Sequence, residues 1–99
     1  MGGKAAVLLR EKTTDERGNL REMVIWGVPR TAKRPDGVRY RLAFIRAGEE
    51  QPTILYDNHH PKGHHRHVAG TEEPYGFVDV GQLIADFLAD VKRVLGAEE

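Results

Sequence analysis

The pattern that most narrows the fold lies near the end of the chain. Val80, Leu83, Ile84, Phe87, Leu88, Val91, Val94 and Leu95 recur at steps of three and four residues, which makes one apolar stripe along a helix. Asp79 stands at the N-cap with Gln82 three residues on, the spacing of a capping box, and Val78 and Leu83 hold the positions of a hydrophobic staple. Gly96 is placed to end the helix. A helix over about 79 to 95 is predicted. Its stripe must be buried against another layer, and the remainder of the chain offers only strands to build one.

Those strands read from alternation. "KAAVLLREK" is a first strand, residues 4 to about 12, and "TTDERGN" is a polar turn in which Gly18 and Asn19 suit positive φ. "LREMVIWGV" completes a hairpin, with Leu20, Val24, Trp26 and Val28 on one face and Arg21, Met23 and Ile25 on the other. A basic loop, "PRTAKRPDG", ends in the turn signal Pro35-Asp36-Gly37. "VRYRLAFIR" alternates most clearly: Val38, Tyr40, Leu42 and Phe44 oppose Arg39, Arg41, Ala43 and Ile45. "TILYD" is a short fourth strand. "HHRHVAG" fits a fifth, with His65 and His67 on one face and His64, Arg66 and Val68 on the other. The expected fold class is α+β: an antiparallel sheet of four or five strands with one long C-terminal helix packed on one face. Phe87 should sit centrally under that helix, and Trp26, Tyr40 and Phe44 read as core.

Ninety-nine residues can bury one modest core, so one domain is expected. Charged residues make up 30% of the chain at zero net charge, which does not fit the disordered class. No apolar run approaches the roughly 18 residues of a membrane span, and "MGGKAAVLLREK" has too short an apolar core for a signal peptide, so a cytoplasmic location is expected. With no cysteine, disulfides, thiolate metal sites and a cysteine nucleophile are excluded. The zero balance hides an asymmetry. Residues 30–70 carry eight Lys and Arg against four Asp and Glu, whereas residues 71–99 carry two against seven. A basic middle points to a polyanionic ligand.

All five histidines lie in that middle, between His59 and His67. Three explanations compete. One is a metal site: His65 and His67 would point the same way from a strand, His59 or His60 would join from the loop, and Asp57 would serve as ligand or supporting carboxylate around a divalent ion. The second is metal-independent acid–base cleavage of RNA. Histidine suits both proton roles. Lys62, Arg66, Arg39 and Arg41 would supply cations for the phosphate, and Tyr56 or Trp26 a stacking ring. The third is a polar loop without chemistry, marked by Pro61 and Gly63.

The pieces "YDN", "KGHHRH", "EEPYGFV" and "LIADFLADVKR", with "MVIWGVP" and "RYRLAFI" before them, resemble the TumE-like family of bacterial type II toxin–antitoxin modules. The likeness spans nearly the whole chain and implies a single TumE-like domain over residues 1–99. It implies a toxin that arrests growth and a small helix-turn-helix antitoxin encoded by the adjacent gene. The positions that carry the motif are Tyr56, Asp57, Asn58, Lys62, Gly63, His65, Arg66, His67, Glu73, Pro74 and Tyr75; His59-His60-Pro61 departs from it. The expectation is a small RNA-cleaving ribonuclease without a cofactor. Its catalytic group is His65, Arg66, His67, Asp57 and Tyr56, and its substrate-binding group is Lys62, His64, Asn58, Arg39 and Arg41. A divalent metal at the histidines is the alternative. A non-catalytic module that binds nucleic acid or protein is the rival of another class. RNA is the expected substrate, and a homodimer stays open.

Overall fold

The computed structural model describes residues 5–96, so Lys4, where the first strand was expected to begin, lies outside the described residues. The fold is α+β. One antiparallel sheet runs in chain order through β1 (Ala6–Thr14), β2 (Leu20–Gly27), β3 (Val38–Ile45), β4 (Ile54–Asp57), β5 (His65–Val68) and β6 (Thr71–Pro74), and α1 (Val80–Gly96) follows. Every strand pairs antiparallel with its neighbour in sequence, so no connection has to cross the sheet. The expected strands are all present, β1 reaching two residues further to Thr14.

The sixth strand was not expected. "TEEP" is polar, exposed along its length and ends in proline, so it has neither alternation nor apolar content. Tertiary pairing creates it. Ala69 and Gly70 both take positive φ, 50° and 88°, the two-residue turn whose twist suits a hairpin. That turn sets His67 opposite Glu72 and Arg66 opposite Glu73.

The helix begins as its sequence indicates. Asp79 Oδ1 accepts the backbone N–H of Gln82 at 2.7 Å, and the Asp79 carbonyl accepts the N–H of Leu83. The reciprocal half of the capping box is not made, because the Gln82 amide donates to Asp86 Oδ1 instead. Nor does the staple form: Leu83 is fully buried, but Val78 is 72% exposed. The chain reaches the helix from β6 through Tyr75 and Phe77, and these rings, not Val78, pack on the core.

The core is the layer between α1 and one face of the sheet. Met23 and Ile25 from β2, Val38, Tyr40, Leu42 and Phe44 from β3, and Ile54 and Tyr56 from β4 meet Leu83, Phe87 and Val91 of the helix. The registers Met23–Leu42–Tyr56 and Ile25–Tyr40 put these residues in cross-strand rows on one side. Trp26 corrects an expectation. It is opposite Arg39, on the other side of the sheet, only partly buried, with Met23 and Ile25 as the core residues of β2. Strand periodicity assigns Trp26 and Ile25 to different faces but does not say which face a helix will cover.

Phe87→Ala should destabilise the protein by about 3–5 kcal/mol, since the ring is fully enclosed and leaves a cavity. Val78→Ala should change stability by less than about 0.5 kcal/mol, as expected for an exposed side chain away from special features. Urea unfolding of the two variants checks both. Equal costs would contradict the burial described above.

Candidate functional site

Strand parity decides what this sheet can do on each side. Tyr56 points into the core, so its neighbour Asp57 points out of the opposite face. Asp57 pairs with His65 and Leu55 with His67, which puts both histidines on that same open face. Tyr56 pairs with Arg66, which puts the arginine under the helix.

On the open face, four groups converge. His65 Nε2 lies 2.9 Å from Asp57 Oδ1 and 3.9 Å from Glu72 Oε2, and His67 Nε2 lies 2.6 Å from the same Glu72 oxygen. The His65–Asp57 approach is an ion-pair contact without hydrogen-bond alignment, and Asp57 Oδ1 is enclosed yet accepts no aligned hydrogen bond. The other ring nitrogen of His65, Nδ1, is 2.9 Å from the Gly63 carbonyl. Both of its nitrogens thus lie close to oxygen atoms, one a carboxylate and one a backbone carbonyl. The His65 and His67 rings stand edge to face, 5.5 Å apart. Lys62 Nζ is 3.4 Å from Glu72. Burial raises the Glu72 carboxyl, but the Lys62 hydrogen bond and charge, with His67 and His65, outweigh it and hold the group below its ordinary range. Among the described residues, His65, His67 and Glu72 form the cluster able to hold a metal ion, with ligand atoms within 4.8 Å of one another.

The structure separates other expected site residues from this cluster. Tyr56 is fully buried and donates its hydroxyl proton to Asp90, itself 1% exposed in the middle of α1. Arg66 Nη1 donates to the Tyr56 hydroxyl at 3.0 Å and to Asp90 at 3.3 Å, and its Nε donates to Glu73 at 2.7 Å. Arg93 closes the network on Asp90 from the helix. The guanidinium of Arg66 is thereby pushed above its ordinary value, chiefly by the Tyr56 hydrogen bond. His64 is also on the helix side. It stacks on Phe77 and Tyr40, and its nitrogens contact the Tyr40 hydroxyl at 2.8 Å and Asp36 at 2.6 Å. Asn58 is buried, its amide bound to the backbone of Tyr40 and Val38. His59 and His60 are exposed.

Arg39 and Arg41 share the open face with the histidines. They line a groove of about 440 Å³ with Arg10, Val24, Trp26 and Asp57. Glu72, Arg10 and Asp90 were missed from sequence. The Ala69-Gly70 turn, read as a hairpin, places Glu72 against His67. Asp90, three residues from Phe87 and one from Val91, falls on the helix's own apolar stripe.

The sequence model of the family described as toxin TumE matches residues 5–95. No curated protein and no solved structure matches the chain. No described helix is long and apolar enough to cross a membrane.

The buried network makes a forecast about alkaline pH. Burial, then the hydrogen bond to Asp90, pushes Tyr56 from its ordinary 10.0 to about 12, against the lowering pull of Arg66. Burial likewise raises Tyr40 and Tyr75 well above that ordinary value, helped at Tyr75 by its hydrogen bond to Asp86. These are all the tyrosines of the chain. Because each folded value lies above the unfolded one, the stability it contributes is complete below pH 10 and is lost as pH rises through about 12 and beyond. Phenolate absorbance of the folded protein should therefore show no inflection near pH 10, whereas the denatured chain should titrate there. A full tyrosine transition near pH 10 in protein that is still folded would contradict this packing.

Proposed function

This chain belongs to the family of TumE toxins, and from that premise we propose that it is the toxin of a toxin–antitoxin module that arrests growth by cleaving RNA on the open face of its sheet. A toxin implies an antitoxin; in this reading the partner is a small helix-turn-helix protein from the adjacent gene. The observation that carries the chemical reading is the convergence of His65, His67, Asp57 and Glu72 at one spot, beside a groove that holds three arginines.

The reaction is transesterification within the RNA strand. A base takes the 2′-hydroxyl proton, the 2′-oxygen bonds to phosphorus, and the bond to the 5′-oxygen breaks as an acid returns a proton to it. The products are a 2′,3′-cyclic phosphate and a 5′-hydroxyl. His67, held by Glu72 through Nε2, keeps its other nitrogen for the base role. His65 faces acceptors from both nitrogens and suits the acid role, with Asp57 holding the charged ring. Lys62 and Arg41 are the cations for the phosphate. Arg66 and Tyr56 act through position: they hold β4 and β5 in the parity that turns the histidines outward.

A second reading is favoured by the enclosed Asp57 oxygen without an aligned hydrogen bond and by the close ligand atoms of His65, His67 and Glu72. Two imidazoles and carboxylate suit a divalent ion with an open position. It would supply the hydrolytic water and the charge stabilisation.

Wild type and the variants His65→Ala, His67→Ala and Glu72→Gln, expressed from a tight promoter without antitoxin, separate the outcomes. The histidine variants should lose growth arrest and at least about 100-fold in RNA cleavage, the scale of a lost acid or base. Cyclic-phosphate ends made in the presence of a chelator mark the acid–base route; activity abolished by chelator and restored by zinc or manganese marks the metal route. If all three variants arrest growth as the wild type does, the open face is not the site.

A further inference from the structure

The groove beside the histidines has a composition that the cleavage chemistry does not require. Trp26 is set on β2 between guanidiniums from both neighbouring strands. Arg10 Cζ lies 5.4 Å and Arg39 Cζ 5.6 Å from the indole. The sheet register explains the arrangement: Trp26 is opposite Arg39, and Arg10 and Arg41 are both opposite Val24, so all of them leave the sheet on one side. Among the described residues, Arg10 and Arg39 have no carboxylate partner. Arg41 has a single weak one, Glu22 at 3.5 Å, with both side chains substantially exposed. The other arginines of the sheet are engaged differently: Arg21 pairs with Glu11, and Arg66 with Glu73 and Asp90. Three guanidiniums, two of them without a carboxylate partner among the described residues, thus gather around one flat ring in one concavity, with Asp57 at its edge.

We infer that this groove is a nucleotide subsite for single-stranded RNA, in which a base stacks on Trp26 and the arginines hold the flanking phosphates. The proposal rests on the ribonuclease reading for its substrate and names the surface that selects it. About 440 Å³ lies within the usual range of small-ligand pockets. An indole with adjoining arginines is the combination that holds unpaired bases, because every base offers a π-face and every linkage a charge. A double helix keeps its bases stacked on one another and has none to offer, so the groove selects single strands. An acidic protein segment would use the arginines but leaves the ring without a purpose. Arg41 is opposite Asp57, and Asp57 is opposite His65, so Arg41 stands two strands, roughly 10 Å, from the candidate acid, with Trp26 one strand further along the groove. A strand with its scissile phosphate at His65 runs directly into it. Asp57 belongs to both: it lines the groove and contacts His65. Arg10, Trp26 and Arg39 are therefore binding residues that set which nucleotide is presented, and not catalytic residues.

Trp26 is the only tryptophan in the chain, so its fluorescence reports the groove directly. The probe is a short single-stranded oligonucleotide of 2′-O-methyl riboses, which has no free 2′-hydroxyl to attack. Titrated into the wild-type protein, it should quench Trp26, and the same sequence as a duplex should not. Trp26→Leu, which keeps an apolar cover on the sheet, should weaken binding about 5- to 150-fold, the range of one lost base stack. Trp26→Phe should keep most of the affinity. Arg39→Gln should lower the slope of log affinity against log salt by about 0.7, one phosphate contact on a single strand. RNA cleaved by a protein whose tryptophan does not respond, and whose Trp26→Leu variant binds as tightly as wild type, overturns the subsite and leaves the ribonuclease reading standing. Quenching by the single strand in a protein that cuts no RNA leaves the subsite standing and removes the nuclease. Equal quenching and affinity with a polyglutamate peptide overturns the subsite in favour of an acidic protein partner.

Discussion

The hydrogen bond from the Tyr56 hydroxyl to Asp90 is the contact on which the arrangement of the two layers depends. A carboxylate buried in the middle of an apolar helix stripe is costly unless it is paired, and here two of its partners come from the sheet. Tyr56 brings a donor up from β4, Arg66 brings a cation from β5, and Arg93 closes over it from the helix. Around this polar centre the contacts are apolar: Phe87 meets the Tyr56 ring edge to face at 5.7 Å. Hydrophobic contact alone would let α1 slide over a flat surface of similar side chains. A buried acid with two fixed donors admits one position, because any shift leaves a charge unpaired.

The same network sets the orientation of the candidate site. Side chains alternate along a strand, so holding Tyr56 and Arg66 under the helix forces Asp57, His65 and His67 to the other face. A slip of one residue would put the histidines under the helix and the arginine on the open face. The "YDN" and "HRH" pieces are therefore interleaved in role: one set of positions secures the helix, and the positions between them carry the proton chemistry proposed for the open face. The arginines divide on the same principle. Arg66 is committed to Asp90 and Glu73 on the helix side, while Arg10 and Arg39 have no acidic partner among the described residues on the other.

The turn at Ala69 and Gly70 has a comparable effect over a shorter range. By reversing the chain in two residues it adds a strand with no apolar character of its own, and that strand delivers Glu72 to His67 and Glu73 to Arg66 on opposite faces. One short hairpin thus supplies an acid to each side of the sheet. The outcome is two clusters of opposite use within a few residues, kept apart by the thickness of a single strand.

The sequence by itself determined the order of β1 to β5 and α1, the helix with its Asp79 cap, the α+β class, and the parity that puts His65 and His67 together and Arg66 apart. These follow from periods of two and 3.6 residues, which are local properties of the backbone. It did not determine which face of the sheet the helix would cover, because alternation is symmetric about the sheet plane. That choice decided that Ile25 is core and Trp26 lies partly buried among arginines on the other face, that Tyr56 anchors the helix, and that Asn58 and His64 serve the packing. Nor did it reveal β6 or the place of Glu72, since a polar strand becomes a strand only when a neighbour offers it hydrogen bonds. The histidine window was visible as a concentration of one residue type. Its division into a stacked His64 on the helix side and a His65–His67 pair beside Asp57 and Glu72 came from pairing between strands, which brings together residues that local sequence keeps apart.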